Sequence, residues 1–168
     1  MITLLVGGSG SGKSAVAERL TATLAPPVTY VATWCVDGAD ADMVSRVAAH
    51  QMRRPSDWGL LEVGSELPAA LSGVEGTVLV DALGTWVAGI DAFAADAGAL
   101  CDALRGRSGD SVVVSDEVGQ GVHPSTEVGR QFRDALGLVN QAVAAVADEV
   151  WLVVAGRVTP LGRPRWDR

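Results

Sequence analysis

Cysteine is scarce in this chain of 168 residues: Cys35 and Cys101 are the two present. They fit no metal-ligand spacing and frame no disulfide scaffold, so a reducing cytoplasm is the expected setting. Aromatic residues make up 5% of the chain, while Gly and Ala abound. That balance is expected of α/β proteins whose helices and sheets meet closely through small side chains. No apolar run approaches the roughly 20 residues that span a bilayer. Met1 to Val6 is too short for the apolar core of a signal peptide and has no cationic lead, so a soluble protein without membrane insertion is expected. Basic residues are also in deficit, 13 Lys and Arg against 20 Asp and Glu, for a formal net charge of −7. An acidic chain is a poor partner for nucleic acid or an anionic membrane, although a local basic pocket remains compatible with it.

What is present begins at the start of the chain. Nearly half the residues, 48%, are hydrophobic, which at this length predicts one domain, 1–168, with a real core. The opening stretch MITLLVGGSGSGKSAVAERL runs from an apolar strand, Ile2 to Val6, through GGSGSGKS to a segment, Ala15 to Leu24, with apolar residues at helical spacing. Gly7, Gly12, Lys13 and Ser14 satisfy G-x-x-x-x-G-K-[ST] in the strand, loop, helix order that a phosphate-binding loop requires. Glycine lets the backbone approach a phosphate and turn successive N–H groups into one concavity at a helix N-terminus. Lys13 supplies a compact positive charge for the β- and γ-phosphates, and the Ser14 hydroxyl suits Mg²⁺. The expected ligand is a nucleoside polyphosphate.

Further along, Pro26 and Pro27 end the first helix, and Val28 to Ala32 reads as the second strand. Thr33, Trp34 and Cys35 follow at its C-terminal end, the edge where open parallel sheets hold ligands. A helix is expected from Ala41 to about Met52, a short strand over Leu60 to Val63 and a short helix over Glu66 to Leu71. Thr77 to Val80 is a buried-type strand that ends in Asp81. Asp91 to Leu104 reads as one Ala-rich helix, Ser111 to Ser115 as a core strand, Glu127 to Ala147 as the longest helix and Glu149 to Ala155 as the last strand. The tail from Gly156 onward, including 157–168, receives no assigned structure. Apolar strands alternating with helices, the first feeding a phosphate loop, specify a P-loop NTPase-like α/β fold: an open, mostly parallel sheet with helices on both faces.

Several side chains could carry chemistry. Asp81, an acid at the end of a buried strand, has the form of a Walker B carboxylate that orders the Mg²⁺ shell, though acids also end strands where they meet water. His50 lies among Arg46, Arg53 and Arg54, a basic cluster in an acidic protein. Imidazole is an effective nucleophile toward phosphorus and guanidinium groups hold phosphates, but a solvated histidine at a basic helix end reads the same way. His123 reads as a loop residue. Asp116 and Glu117 either face the same cleft or cap a turn, and sequence alone does not separate these.

Taken together, GGSGSGKS, YVATW, DMVSRVAAHQMRRPSDWGLLE, VLVDALGTWV and VVVSDEVGQGVHPSTEVGRQFRDALGLVNQAVAAVADEVWLVVAG resemble the bifunctional adenosylcobinamide kinase and adenosylcobinamide-phosphate guanylyltransferase family of cobalamin biosynthesis. The resemblance runs nearly to Gly156. It implies phosphorylation of adenosylcobinamide by ATP or GTP, then transfer of GMP from GTP to the resulting phosphate, through a covalent GMP–histidine. The family pattern R-[IV]-x-x-H puts that histidine at His50, in register with Arg46. By the same resemblance Gly7, Gly8, Ser9, Gly10, Ser11, Gly12, Lys13 and Ser14 hold phosphates. Ala32, Thr33, Trp34, Gln51, Met52, Arg53, Arg54, Glu62 and Asp81 line the nucleotide site, with Ser14 and Asp81 toward Mg²⁺ or another divalent cation. It implies a homotrimer as well.

The chain departs from the family pattern at three places. Ser9 and Gly10 stand where Ala-Arg is common, Asp116 where Asn is usual, and Ala82, Leu83 and Gly84 where Cys-Leu-Thr is usual. Two other readings fit the phosphate loop alone: a kinase for another small molecule with a structural His50, and a non-enzymatic nucleotide sensor or GTPase-like switch. The latter meets no N-K-x-D guanine-reading motif in the chain.

Overall fold

The computed structural model describes residues 1–33 and 55–164. The helix expected over 41–52, and with it Trp34, Arg46, His50, Gln51, Met52, Arg53 and Arg54, lies outside the described residues. Seven strands form one sheet: β1 Ile2–Gly7, β2 Val28–Ala32, β3 Gly59–Glu62, β4 Thr77–Asp81, β5 Ser111–Asp116, β6 Glu149–Val154 and β7 Arg157–Pro160, in the order β3-β2-β4-β5-β1-β6-β7. All neighbouring strands pair parallel except β6 and β7, which are antiparallel.

The central strands are continuous apolar runs because both faces are covered. Alternate residues go to opposite sides. Leu4, Val31, Val78, Val80 and Val113 pack under α2 (Leu67–Ser72), α3 (Leu83–Ala88), α4 (Ala97–Gly106) and α5 (Glu127–Val146). Leu5, Tyr30, Leu79, Val112 and Val114 pack on the other side, under α1 (Lys13–Thr21). The sequence-based fold is therefore the observed one, an open and mostly parallel sheet with helices on both faces.

Two sequence expectations need correction. The tail is not irregular throughout: Val154 pairs with Arg157 across a two-residue turn, Ala155 and Gly156, both with positive φ (51° and 72°), and β7 follows. Such a turn matches the twist of a hairpin, but Ala is not a residue that announces it, and β7 is exposed throughout, so it has no buried alternation to read. The helix expected over Asp91 to Leu104 is interrupted. A 3₁₀ turn, Asp91–Phe93, holds Ala92 and Phe93 at positive φ, and α4 starts afresh with the Asp96 carboxylate accepting from Ala99 N at 2.8 Å.

At the edge where β4 and β5 begin, Arg107 ties neighbouring segments together. Its guanidinium donates to the carbonyls of Leu71 (2.9 Å), Val74 (2.5 Å) and Gly76 (2.5 Å), and Nε donates to Ser111 Oγ (3.2 Å). Burial pulls its pKa below the usual arginine value.

Candidate functional site

The site lies at the opposite edge, where the parallel strands end. In the sheet register Gly7 stands beside Asp116, and Ala32 stands between Asp81 and Glu62. One rim therefore carries the phosphate loop, Asp116, Asp81, the Ala32–Thr33 segment and Glu62.

The glycines in the loop are required by its geometry at two positions. A Cβ on Gly7 would lie 2.6 Å from Val153 O and 2.7 Å from Ser11 Oγ. Gly12 caps α1 in the left-handed region (φ 86°), and a Cβ there would meet Gly156 Cα at 3.3 Å. The β6–β7 turn thus braces the loop from outside, and Gly156 N also donates to Ser11 O at 2.8 Å. Gly8, Ser9 and Gly10 face solvent.

Lys13 is the one lysine of the chain. Its Nζ donates to Gly8 O at 3.3 Å and lies 2.6 Å from Asp116 Oδ1, with the lysine side chain mostly covered. Ser14 Oγ donates to Asp81 Oδ1 at 3.3 Å, and the Tyr30 phenol donates to Asp81 Oδ2 at 2.9 Å. Ser14 and Asp81, 67 residues apart in sequence, thus present a hydroxyl and a carboxylate side by side. Two hard oxygens beside a polyphosphate loop suit a small divalent cation that keeps several waters and phosphate oxygens as its other ligands. Among the described residues no cluster of three or more His, Cys, Asp or Glu could hold a metal without such help.

The remaining predicted residues divide by what their side chains do. The Thr33 hydroxyl is buried and committed: it donates to Ala82 O at 2.6 Å, accepts from Ala82 N at 3.0 Å and meets Thr85 Oγ1 at 2.7 Å. It thereby holds the start of α3 against the end of β2. Ala32 is buried in the core under α1, so its backbone is what it offers the rim, and Glu62 is exposed. His123 lies in a loop beside Arg133, with Nδ1 3.0 Å from a guanidinium nitrogen.

The structure separates the two acids that follow β5. Glu117 Oε1 accepts from Gly119 N at 2.6 Å, a turn cap. Asp116 instead reaches Lys13. Gly84 in α3 makes room for it: a Cβ on Gly84 would fall on Asp116 Oδ2. Behind Asp116, the Asn140 amide donates to its main-chain oxygen at 3.0 Å, while Asn140 Oδ1 accepts from Ser115 Oγ at 2.5 Å. Neither Tyr30 nor Asn140 is singled out by sequence reasoning. For Tyr30 the available signal was strand parity, since it shares a face with Ala32 beside α1. A cavity of about 680 Å³ between α2 and α4 is lined by residues near the starts of β4 and β5, away from this rim.

Known proteins match this chain along most of its length. The family described as cobinamide kinase / cobinamide phosphate guanyltransferase (CobU) matches residues 3–161. The bifunctional adenosylcobalamin biosynthesis protein CobP of Pseudomonas aeruginosa is 37% identical over 174 residues, covering 98% of this chain and 99% of that protein. The bifunctional adenosylcobalamin biosynthesis protein CobU of Salmonella typhimurium is 34% identical over 179 residues, covering 93% and 97%. Among solved structures, the P4 protein of bacteriophage phi6 in complex with ADP overlaps 98% of this chain and 55% of its own at a TM-score of 0.44 and 19% identity.

Proposed function

This chain belongs to the cobinamide kinase / cobinamide phosphate guanyltransferase family, and from that premise we propose how its residues divide the two reactions. It is a bifunctional enzyme of adenosylcobalamin biosynthesis. The phosphate loop serves the kinase reaction, and His50 carries the guanylyl group.

In the kinase reaction the loop from Gly7 to Ser14 holds the phosphates of ATP or GTP, with Lys13 on the β- and γ-phosphates. The hydroxyl of adenosylcobinamide attacks the γ-phosphorus, a new P–O bond forms as the hydroxyl proton is released to solvent, and the bond to the β-phosphate oxygen breaks to release the diphosphate. The chain's contribution is to position these groups and offset charge. Mg²⁺ held by Ser14 and Asp81 together with the phosphates would supply further charge compensation. The closeness of these two side chains, 3.3 Å, and the bracing of Asp81 by Tyr30 support that reading.

In the second reaction a ring nitrogen of His50 attacks the α-phosphorus of GTP. A P–N bond forms and pyrophosphate leaves. The phosphate of adenosylcobinamide phosphate then attacks the same phosphorus, the P–N bond breaks, and adenosylcobinamide-GDP departs with His50 regenerated. Arg46, Arg53 and Arg54 surround His50 in sequence and offset the charge of the bound GTP. Ala32, Thr33, Trp34, Gln51, Met52 and Glu62 complete the nucleotide surroundings, Thr33 by fixing the main chain at Ala82. The protein works as a single-domain homotrimer in the cytoplasm. Among the described residues no helix is long and apolar enough to cross a membrane.

The observation that carries this reading is the family match across residues 3–161, a span within which the phosphate loop, Arg46 and His50 fall. The test is incubation with GTP labelled at the α-phosphorus, followed by denaturation, for the wild type and His50→Ala. Acid-labile, base-stable label on the wild type and none on the variant is the expected result. Equal labelling of both, or none on a wild type that binds GTP, contradicts the assignment of His50.

A further inference from the structure

Of the acids at the rim among the described residues, two have their carboxylates engaged by donors other than Lys13. Asp81 takes the hydroxyls of Ser14 and Tyr30, and Glu117 takes a turn amide. Asp116 is placed differently. Asp116 Oδ1 faces the Lys13 ammonium at 2.6 Å, Oδ2 fills the space that Gly84 leaves by lacking a Cβ, and Asn140 pins the backbone from behind. The carboxylate is therefore held on the same ammonium that a bound polyphosphate needs. Gly84 and Asp116 lie far apart in sequence; in space they meet.

We propose that Asp116 is a phosphate surrogate for Lys13, a positioning residue that holds the ammonium at the loop before the nucleotide arrives and competes with phosphate for it, so that it sets nucleotide affinity in the kinase reaction. Two consequences follow from charge alone. A polyphosphate entering the loop must draw Lys13 from a full anion at contact distance, and it then lies near a carboxylate of like sign. Both effects weaken binding, and the repulsion grows with the number of negative charges on the ligand. Lys13 stays ordered in the empty site while the spent diphosphate is displaced more readily. The loop from Gly7 to Ser14 carries no second cation that would offset this, Lys13 being its one basic residue.

The inference rests on the phosphate loop holding the donor nucleotide, and the experiment keeps the two apart. Binding of ATP, ADP and AMP to the full chain is measured by calorimetry for the wild type, Asp116→Asn and Asp116→Ser, at low and at moderate salt. The amide is close to isosteric and leaves Gly84 undisturbed. The expected result is an affinity gain of about tenfold for ATP in both variants, smaller for ADP and smallest for AMP, shrinking as salt rises. In turnover, KM for the donor falls while kcat does not rise. A role in folding alone would give the opposite sign, since a damaged rim binds less well. Unchanged or weaker ATP binding in Asp116→Asn overturns the proposal. A wild type that binds no nucleotide at the loop overturns the kinase reading itself.

Discussion

Ser14 Oγ and Asp81 Oδ1 meet at 3.3 Å although they lie 67 residues apart in sequence. The contact joins the first turn of α1 to the end of β4, across the intervening strand β5. If the pair holds the cation of the kinase reaction, Asp81→Asn keeps the shape and removes the charge. We expect kcat for phosphorylation of the corrinoid to fall by about a hundredfold or more, with a higher Mg²⁺ requirement and little change in thermal midpoint. A kcat within a factor of three of wild type would remove Asp81 from this role.

Tyr30→Phe tests the brace behind that carboxylate. The phenol is buried and donates to the Asp81 carboxylate at 2.9 Å, so its loss costs about 1.5–3 kcal/mol of stability by denaturant unfolding. The apparent affinity for Mg²⁺ should drop several-fold as Asp81 gains freedom, while the denaturant slope stays constant.

Gly84→Ala puts a methyl group where Asp116 Oδ2 lies. Overpacking of this kind costs about 1–3 kcal/mol, and the carboxylate must rotate away from Lys13. A double-mutant cycle with Asp116→Ser should show strong coupling, because the second substitution removes the atoms that clash. Additive effects would mean that the two residues do not share this space.

Arg107→Met removes the donor shared by the carbonyls of Leu71, Val74 and Gly76. Methionine covers similar apolar surface but takes the guanidinium donor from the Val74 and Gly76 carbonyls and leaves Leu71 O its 3.3 Å bond from Val74 N, so a loss of about 2–4 kcal/mol is expected. Turnover per folded molecule should be unchanged, since the clamp lies at the far edge of the sheet from the phosphate loop. Cys101 on α4 reports the same event: burial raises its thiol pKa, and Arg105 and Asp102 oppose each other around it. Its reaction with a thiol reagent, read by mass spectrometry, should be slow in the wild type and faster in the variant.

Much of the fold was legible because the central strands are buried on both faces and so appear as unbroken apolar runs, each ending in a residue that changes the chemistry: Gly7, Ala32, Asp81, Asp116. The phosphate loop and Asp81 were legible for the same reason, since a strand end fixes where a side chain emerges. What escaped depended on tertiary packing. The break at Ala92 and Phe93 is hidden in an Ala-rich segment that reads as continuous helix, and its only local sign is Asp96, which caps α4. The exposed β7 has no pattern to read. Asp116 and Glu117 are adjacent acids with the same sequence context; only the positions of Lys13, Gly84 and Gly119 tell one from the other.

The most direct test of the whole account is product formation by the full chain. Adenosylcobinamide is supplied with ATP, GTP and Mg²⁺, and the corrinoid products are separated and identified by mass. Successive appearance of adenosylcobinamide phosphate and adenosylcobinamide-GDP, the second dependent on GTP and abolished in His50→Ala while the first persists, is the predicted result. Hydrolysis of nucleotide with the corrinoid unaltered would contradict the account at its centre.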